Sequence, residues 1–153
     1  MRMPTPVQPP RTPAEWAAYY QLRYAVLRQP WQQPPGSERS PADAEPGTIH
    51  ALLLADESAV APVALAVGML QPTGGPQGQI RFMAVAPTAA GTGLGRRVAA
   101  YLEQEARAAG LTEIVLHARE TAVAFYTKLG YELVAPSHTL FGVLPHFLMQ
   151  KQL

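Results

Sequence analysis

The chain is predicted to fold as a layered α/β (α+β) domain, one sheet with helices on both of its faces. Three observations predict it. Apolar residues recur at helical spacing in three segments and as strand-like runs in six others. The order is helix, three strands, helix, strand, helix, two strands, and this mixed order suits a layered sheet. Finally, 153 residues suffice for one domain with a real core, and no repeat divides the chain.

Residues 1–11 are Pro-rich and read as a tail or one short edge strand, because proline is tolerated only at edges. Thr12 caps the first helix, Pro13 suits its first position, and Glu15 completes a capping box. Trp16, Tyr19, Tyr20, Arg23, Val26 and Leu27 share one face, and Pro30 stops the helix. Gln29 to Gly47 is a long loop, of a length that is usually functional or mobile. Thr48–Ala55 and Ala59–Leu70 read as strands around a turn at Asp56–Ser58. A second turn at Pro72–Pro76 leads to a third strand, Gln79–Val85, and completes an antiparallel meander.

The next helix carries Leu94, Val98, Tyr101, Leu102, Ala106 and Ala109 on one face, pairs Glu103 with Arg107 on the other, and closes at Gly110. Leu111–His117 reads as a buried strand. Arg119–Leu129 is a short helix with Ala122, Phe125, Tyr126 and Leu129 on one face. Tyr131–Ala135 and Pro145–Lys151 are strands, with a turn over Ser137–Gly142.

Gly91-Thr92-Gly93-Leu94-Gly95-Arg96-Arg97 sits between the third strand and the second helix. Glycines let a backbone approach an anion and turn its N–H groups toward it, and a helix N-terminus adds a favourable dipole. Arg96 and Arg97 lie where acidic residues are normally preferred, and a polyanion in front of them would account for that. A plain glycine turn with two solvated arginines is the other reading.

Bulk properties close several classes. No cysteine is present, which removes disulfide frameworks and thiolate metal sites. A formal net charge of +1 argues against nucleic acid or a membrane surface as the main partner. No apolar stretch is long enough to span a bilayer, and the N-terminus lacks a signal peptide's apolar core, so a cytoplasmic protein is expected.

Two motifs at the right separation carry a resemblance. Met83-Ala84-Val85-Ala86-Pro87 with Gly91–Arg96, then Leu116, Ala118-Arg119 and Ala124-Phe125-Tyr126-Thr127-Lys128-Leu129-Gly130-Tyr131, resemble the GNAT superfamily of acyl-CoA N-acyltransferases over residues 12–153. Leu22–Arg28, Pro30-Trp31, Glu38, His50 and Pro145–Met149 look like its ElaA-like subgroup. The resemblance implies a mostly antiparallel mixed sheet with a central, splayed parallel pair of strands. It implies acetyl-CoA (coenzyme A) as co-substrate, with no metal, and pantetheine pairing with backbone at Ala84 and Val85. It also implies pyrophosphate on the N–H groups from Ala90 through Gly91, Thr92, Gly93, Leu94 and Gly95 to Arg96, with Phe125 beside the cofactor. Thr88 and Ala90 stand where the family often has Gln or Arg, and Arg96 and Arg97 are candidates to compensate.

For catalysis the resemblance gives Val85 N–H as the donor to the thioester carbonyl and Tyr126 as the acid that protonates the thiolate. Tyr126 also reads as simple packing on an apolar helix face. Arg81, Phe82 and Met83 occupy the segment where many relatives carry a glutamate base. The base candidates are then His117, His50 and His146, and Glu120 reads equally as a helix-start residue. The resemblance lines the acceptor pocket with Arg23, Arg28, Trp31, Glu38, His50 and His146. Arg23 pairs with Glu38 or binds a substrate carboxylate; Trp31 plugs the loop or stacks on substrate. The expected activity is acetyl transfer to the primary amine of a small-molecule or amino-acid-like acceptor. A protein Lys or N-terminal acetyltransferase and a non-catalytic acyl-CoA sensor are the alternatives. Relatives are often dimers, so a homodimer is expected by analogy.

Overall fold

A computed structural model describes residues 5–153, so part of the Pro-rich segment, residues 1–4, lies outside the described residues. The elements are α1 (Pro13–Leu27), β1 (Ile49–Leu54), β2 (Ala64–Gly74), β3 (Gln77–Val85), α2 (Leu94–Ala108), β4 (Glu113–Arg119), α3 (Val123–Lys128), β5 (Glu132–Leu140) and β6 (Leu144–Gln152). The strands form one sheet in the order β1-β2-β3-β4-β6-β5, with β3–β4 parallel and the other pairs antiparallel. Among the described residues no helix is long and apolar enough to cross a membrane.

Both faces of the sheet are covered. Ala18, Tyr19 and Leu22 of α1 pack on Leu52, Leu54, Val67 and Ala84. Val98, Leu102 and Ala106 of α2 pack on the opposite face, against Ala51, Leu53, Ala66, Leu70 and Ile114, with Tyr126 of α3 in the same cluster. Double coverage is why β1 reads as a continuous apolar run, Ala51-Leu52-Leu53-Leu54, without alternation.

Thr12 caps α1 by accepting from Glu15 N–H at 3.1 Å. The capping box is incomplete, because the Glu15 carboxylate accepts from Arg11 N–H at 3.0 Å, one residue before the cap. The edge-strand reading of the N-terminal segment reduces to one antiparallel bridge, Gln8 to Leu52. The long loop contains two short 3-10 turns, Gln29–Trp31 and Pro41–Ala44.

Several boundaries differ from the sequence reading. β2 starts at Ala64, after Pro62, which cannot donate to a ladder; Val60 is 99% exposed. β5 runs on to Leu140, and the hairpin turns tightly at Phe141 and Gly142, both at positive φ. β4 alternates between buried and more exposed positions and is not buried throughout. Glu103 does not face solvent with Arg107. It is 7% exposed, and its carboxylate accepts from Lys151 Nζ and Tyr131 Oη, each at 2.9 Å.

One irregularity positions the site. Two β2 residues, Val67 and Met69, span the same stretch of ladder as Ala84 and Arg81, so β3 carries an extra residue there. Phe82, at φ +56°, is in this bulge. The parallel pairing of β3 with β4 ends at Ile80–Leu116, and beyond it the strands separate.

Candidate active site: two clefts sharing a wall

The first cleft, about 740 Å³, opens where β3 leaves β4. Ala84, Val85, Ala90, Gly91, Gly93, Leu94, Gly95, Arg96 and Phe125 line it. Ala86 N–H donates to Leu65 O at 2.8 Å on the β2 side, so the preceding Val85 N–H points to the opposite edge, into the gap. The N–H groups of Gly91 through Arg96 have no acceptor among the described residues; the first intrahelical bond of α2 is Arg97 N–H to Gly93 O at 3.2 Å. Gly91 and Gly93 hold φ of +76° and +83°, which a side chain would strain. Thr92 is not among the cleft-lining residues; its hydroxyl donates to Ala89 O at 2.5 Å and pins the loop.

Two expected roles at this loop change. Ala90 lines the cleft, but its N–H is spent on Pro87 O at 3.3 Å. Arg97 is not at the cleft mouth: its guanidinium donates to Thr5 O at 2.5 Å, leaving Arg96 alone of the pair in the lining.

The second cleft, about 470 Å³, lies on the other side of β3 and is lined by Arg28, Arg81, Arg119, His117, His138 and His146 together with apolar side chains. Met83, Ala122 and Tyr126 line both clefts. Tyr126 is 7% exposed, and its hydroxyl makes no hydrogen bond within the described residues. Burial, partly offset by Arg119, pushes its pKa far up and keeps it protonated.

The histidines form a cluster. His117 Nδ1 is 2.6 Å from Ser137 Oγ, which is 3.0 Å from His138 Nδ1. His138 stacks on His146 at 4.6 Å between ring centroids. His146 donates from Nδ1 to Leu144 O at 2.8 Å. The pKa of His117 is lowered by partial loss of water and then by His138 and Arg81. That of His146 is lowered by burial, against the bond to Leu144 O, with His138, Arg119 and His117 adding to the lowering. Both rings are therefore neutral at neutral pH.

The acetyltransferase (GNAT) family model matches residues 16–131, most of the chain. The chain belongs to the GNAT family. A curated relative, the "IAA acetyltransferase" of Azospirillum brasilense, is 42% identical over 62 residues, covering 39% of this chain and 40% of that protein. The chain thus matches about two fifths of that relative's length. Among solved structures, a putative N-acetyltransferase from Lactobacillus plantarum superposes with a TM-score of 0.82 at 24% identity, covering 99% of both chains. An aminoglycoside 6'-N-acetyltransferase complexed with coenzyme A superposes at 0.78, with 18% identity and 95% and 96% coverage. At these identities the structures speak for the GNAT fold.

The GNAT framework accommodates some predicted acceptor residues and not others. Arg28, His117 and His146 line the second cleft. His50 does not: it is buried under α1, its Nε2 donates to Asp43 O at 3.0 Å, and its Nδ1 accepts from Tyr19 Oη at 2.7 Å. Both ring nitrogens are occupied, so it serves neither as base nor as acceptor ligand. Arg23 pairs with the Asp43 carboxylate at 2.9 Å and takes only the backbone oxygen of Glu38. Trp31 stands outside the lining, stacked on Phe141 at 6.4 Å and covered by the Arg119 guanidinium at 5.1 Å. Sequence reasoning missed Arg81 and His138 as cleft residues and saw Arg119 only as part of a motif. The available signal was period-2 alternation: on β4 it puts His117 and Arg119 on one face.

Proposed function

We propose that the protein transfers an acetyl group from acetyl-CoA to the primary amine of a small-molecule or amino-acid-like acceptor. The observation that carries this reading is Tyr126, a buried phenol with an unspent hydroxyl in the wall common to both clefts. The free N–H groups of Gly91 through Arg96 suit a pyrophosphate, and the edge of β3 at Ala84 and Val85 suits an extended amide chain. Acetyl-CoA supplies the acetyl group as a thioester, so the reaction exchanges a C–S bond for a C–N bond. Val85 N–H supports the carbonyl oxygen as negative charge gathers there. His117 accepts the proton that the amine sheds. When Ser137 donates to His138, His117 donates from Nδ1 and keeps the Nε2 lone pair for this task. Tyr126 delivers its proton to the departing sulfur.

The test is thiol release from acetyl-CoA across a panel of primary amines, with the N-acetyl product identified by mass. Amine-dependent release with a matching product is expected. Binding of acetyl-CoA without release for any amine would leave the sensor reading instead. Release restricted to Lys- or N-terminus-bearing peptides would move the acceptor to proteins.

A further inference from the structure

We infer that the acceptor carries an anionic group, a carboxylate or a phosphoryl, besides its amine, and that Arg28, Arg81 and Arg119 receive it. The inference rests on the proposed acetyl transfer and names the acceptor class for it.

The lining of the second cleft contains these three arginines and no aspartate or glutamate. Among the described residues none of the three has an ion-pair partner. The carboxylates that act on Arg28 and Arg81 from outside the lining are engaged elsewhere. Asp43 is held by Arg23 at 2.9 Å, Glu38 accepts from Gly36 N–H at 2.8 Å, and Glu45 accepts from Gln71 at 3.1 Å. The guanidiniums also keep donors in reserve. Arg119 makes no hydrogen bond within the described residues, while Arg81 spends only Nη1, on Gln71 Oε1 at 3.2 Å. Arg28 spends Nε and Nη1 on the backbone oxygens of Ser37 and Leu27 and keeps Nη2.

Aromatic rings fix these side chains without neutralising them. Arg81 and Arg28 stand over the Phe82 ring at 4.9 and 5.6 Å, and Arg119 over Trp31 at 5.1 Å. Arginine does not discharge itself by losing a proton in a protein, so partial burial of like charges is a standing cost. Burial is the largest influence on each and weakens its protonated form; at Arg28 the neighbouring Arg23 and Arg81 add to it while Glu38 offsets part, and at Arg81 Asp43 offsets part. An anion with planar or tetrahedral oxygens removes that cost through charge-assisted, forked hydrogen bonds. The same positive field disfavours an ammonium and so presents the acceptor nitrogen in its neutral, nucleophilic form.

The experiment measures kcat/KM for the twenty amino acids against their carboxamides, and for 2-aminoethylphosphonate against ethanolamine. Calorimetric binding of the same compounds to the CoA-loaded protein runs in parallel. At least one acid should exceed its neutral partner by roughly 10- to 100-fold, the range of a hydrogen bond to a charged group. Which pair responds tells carboxylate from phosphoryl. R119Q and R81Q should erase the ratio, and R119K should restore part of it. Neutral partners handled as well as or better than acids, or no acid bound or turned over preferentially, overturns the inference and leaves acetyl transfer standing if amines are acetylated. Preferential binding of acids with no turnover of any amine overturns the proposed reaction and leaves the anion site standing.

Discussion

The two clefts that meet at Tyr126 are built from different parts of the polypeptide. The donor cleft offers main-chain N–H groups, from Val85 and from Gly91 to Arg96, and its side chains are mostly small or apolar. The second cleft offers guanidiniums and imidazoles from the residue that follows α1 and from β3, β4, β5 and β6. A site made of backbone depends on local geometry, which glycines at positive φ permit. A site made of side chains depends on register among strands distant in sequence. On the proposed reading the first is tied to one coenzyme shape, and the second is free to vary in charge.

Replacing Tyr126 with Phe tests whether the wall between the clefts is chemical or merely structural. Turnover should fall by about 100-fold or more, the usual worth of a positioned acid, while acetyl-CoA affinity stays within a few-fold. Unchanged turnover would reduce Tyr126 to packing. Gly93→Glu attacks the backbone side alone. Acetyl-CoA at a hundred times its Kd should stabilise the native protein by about 2.7 kcal/mol, read as a rise in Tm, and the variant should lose that rise. A rise that survives would show that phosphate does not sit at the start of α2.

Acid separates the clefts more gently. Because His117 titrates below its ordinary value, kcat/KM counted per neutral amine should hold at neutral pH and fall about tenfold per unit once pH drops below its folded-state pKa. Main-chain N–H groups do not titrate, so acetyl-CoA affinity should decline less over the same range. Stability follows the same sign. His50, His117 and His146 have folded pKa values lowered by burial, so the unfolded chain binds more protons between the two values. Their contribution is complete above the unfolded pKa near 6.5 and is lost as pH falls through the folded values. A Tm that stays flat from pH 7.5 to 5 would contradict this. The smallest effect is expected from Gly95→Ala. The added Cβ would meet Phe125 and Val85 side chains at 3.3 Å, costing about 1 kcal/mol of crowding and a few-fold in acetyl-CoA affinity.

What could be read from sequence divides along the same line. The glycine loop was legible because its meaning is local: a strand, positive-φ residues and a helix start within a few positions. The order of elements was legible because apolar periodicity is also local. Glu103 was misread because its spacing to Arg107 suggests a surface pair, whereas its partners Tyr131 and Lys151 lie 28 and 48 residues away. His138 was missed because Pro136-Ser137-His138 has turn composition, yet β5 carries it beside His146 of β6. The acceptor cleft takes His117 and Arg119 from β4, and the register that sets Arg119 opposite His146 is fixed only once the sheet is assembled.

That assembly has an order imposed by synthesis. In the sheet β6 lies between β4 and β5, although β5 precedes it in the chain. As the polypeptide leaves the ribosome, β5 therefore emerges before the strand that is its neighbour, with Leu133 and Val134 still unpaired. The first cleft draws on β3, α2 and α3, all of which precede β5 in the chain, whereas the second needs both β5 and β6. The cleft lined by His138 of β5 and His146 of β6 is therefore complete only once β6 has inserted between β4 and β5.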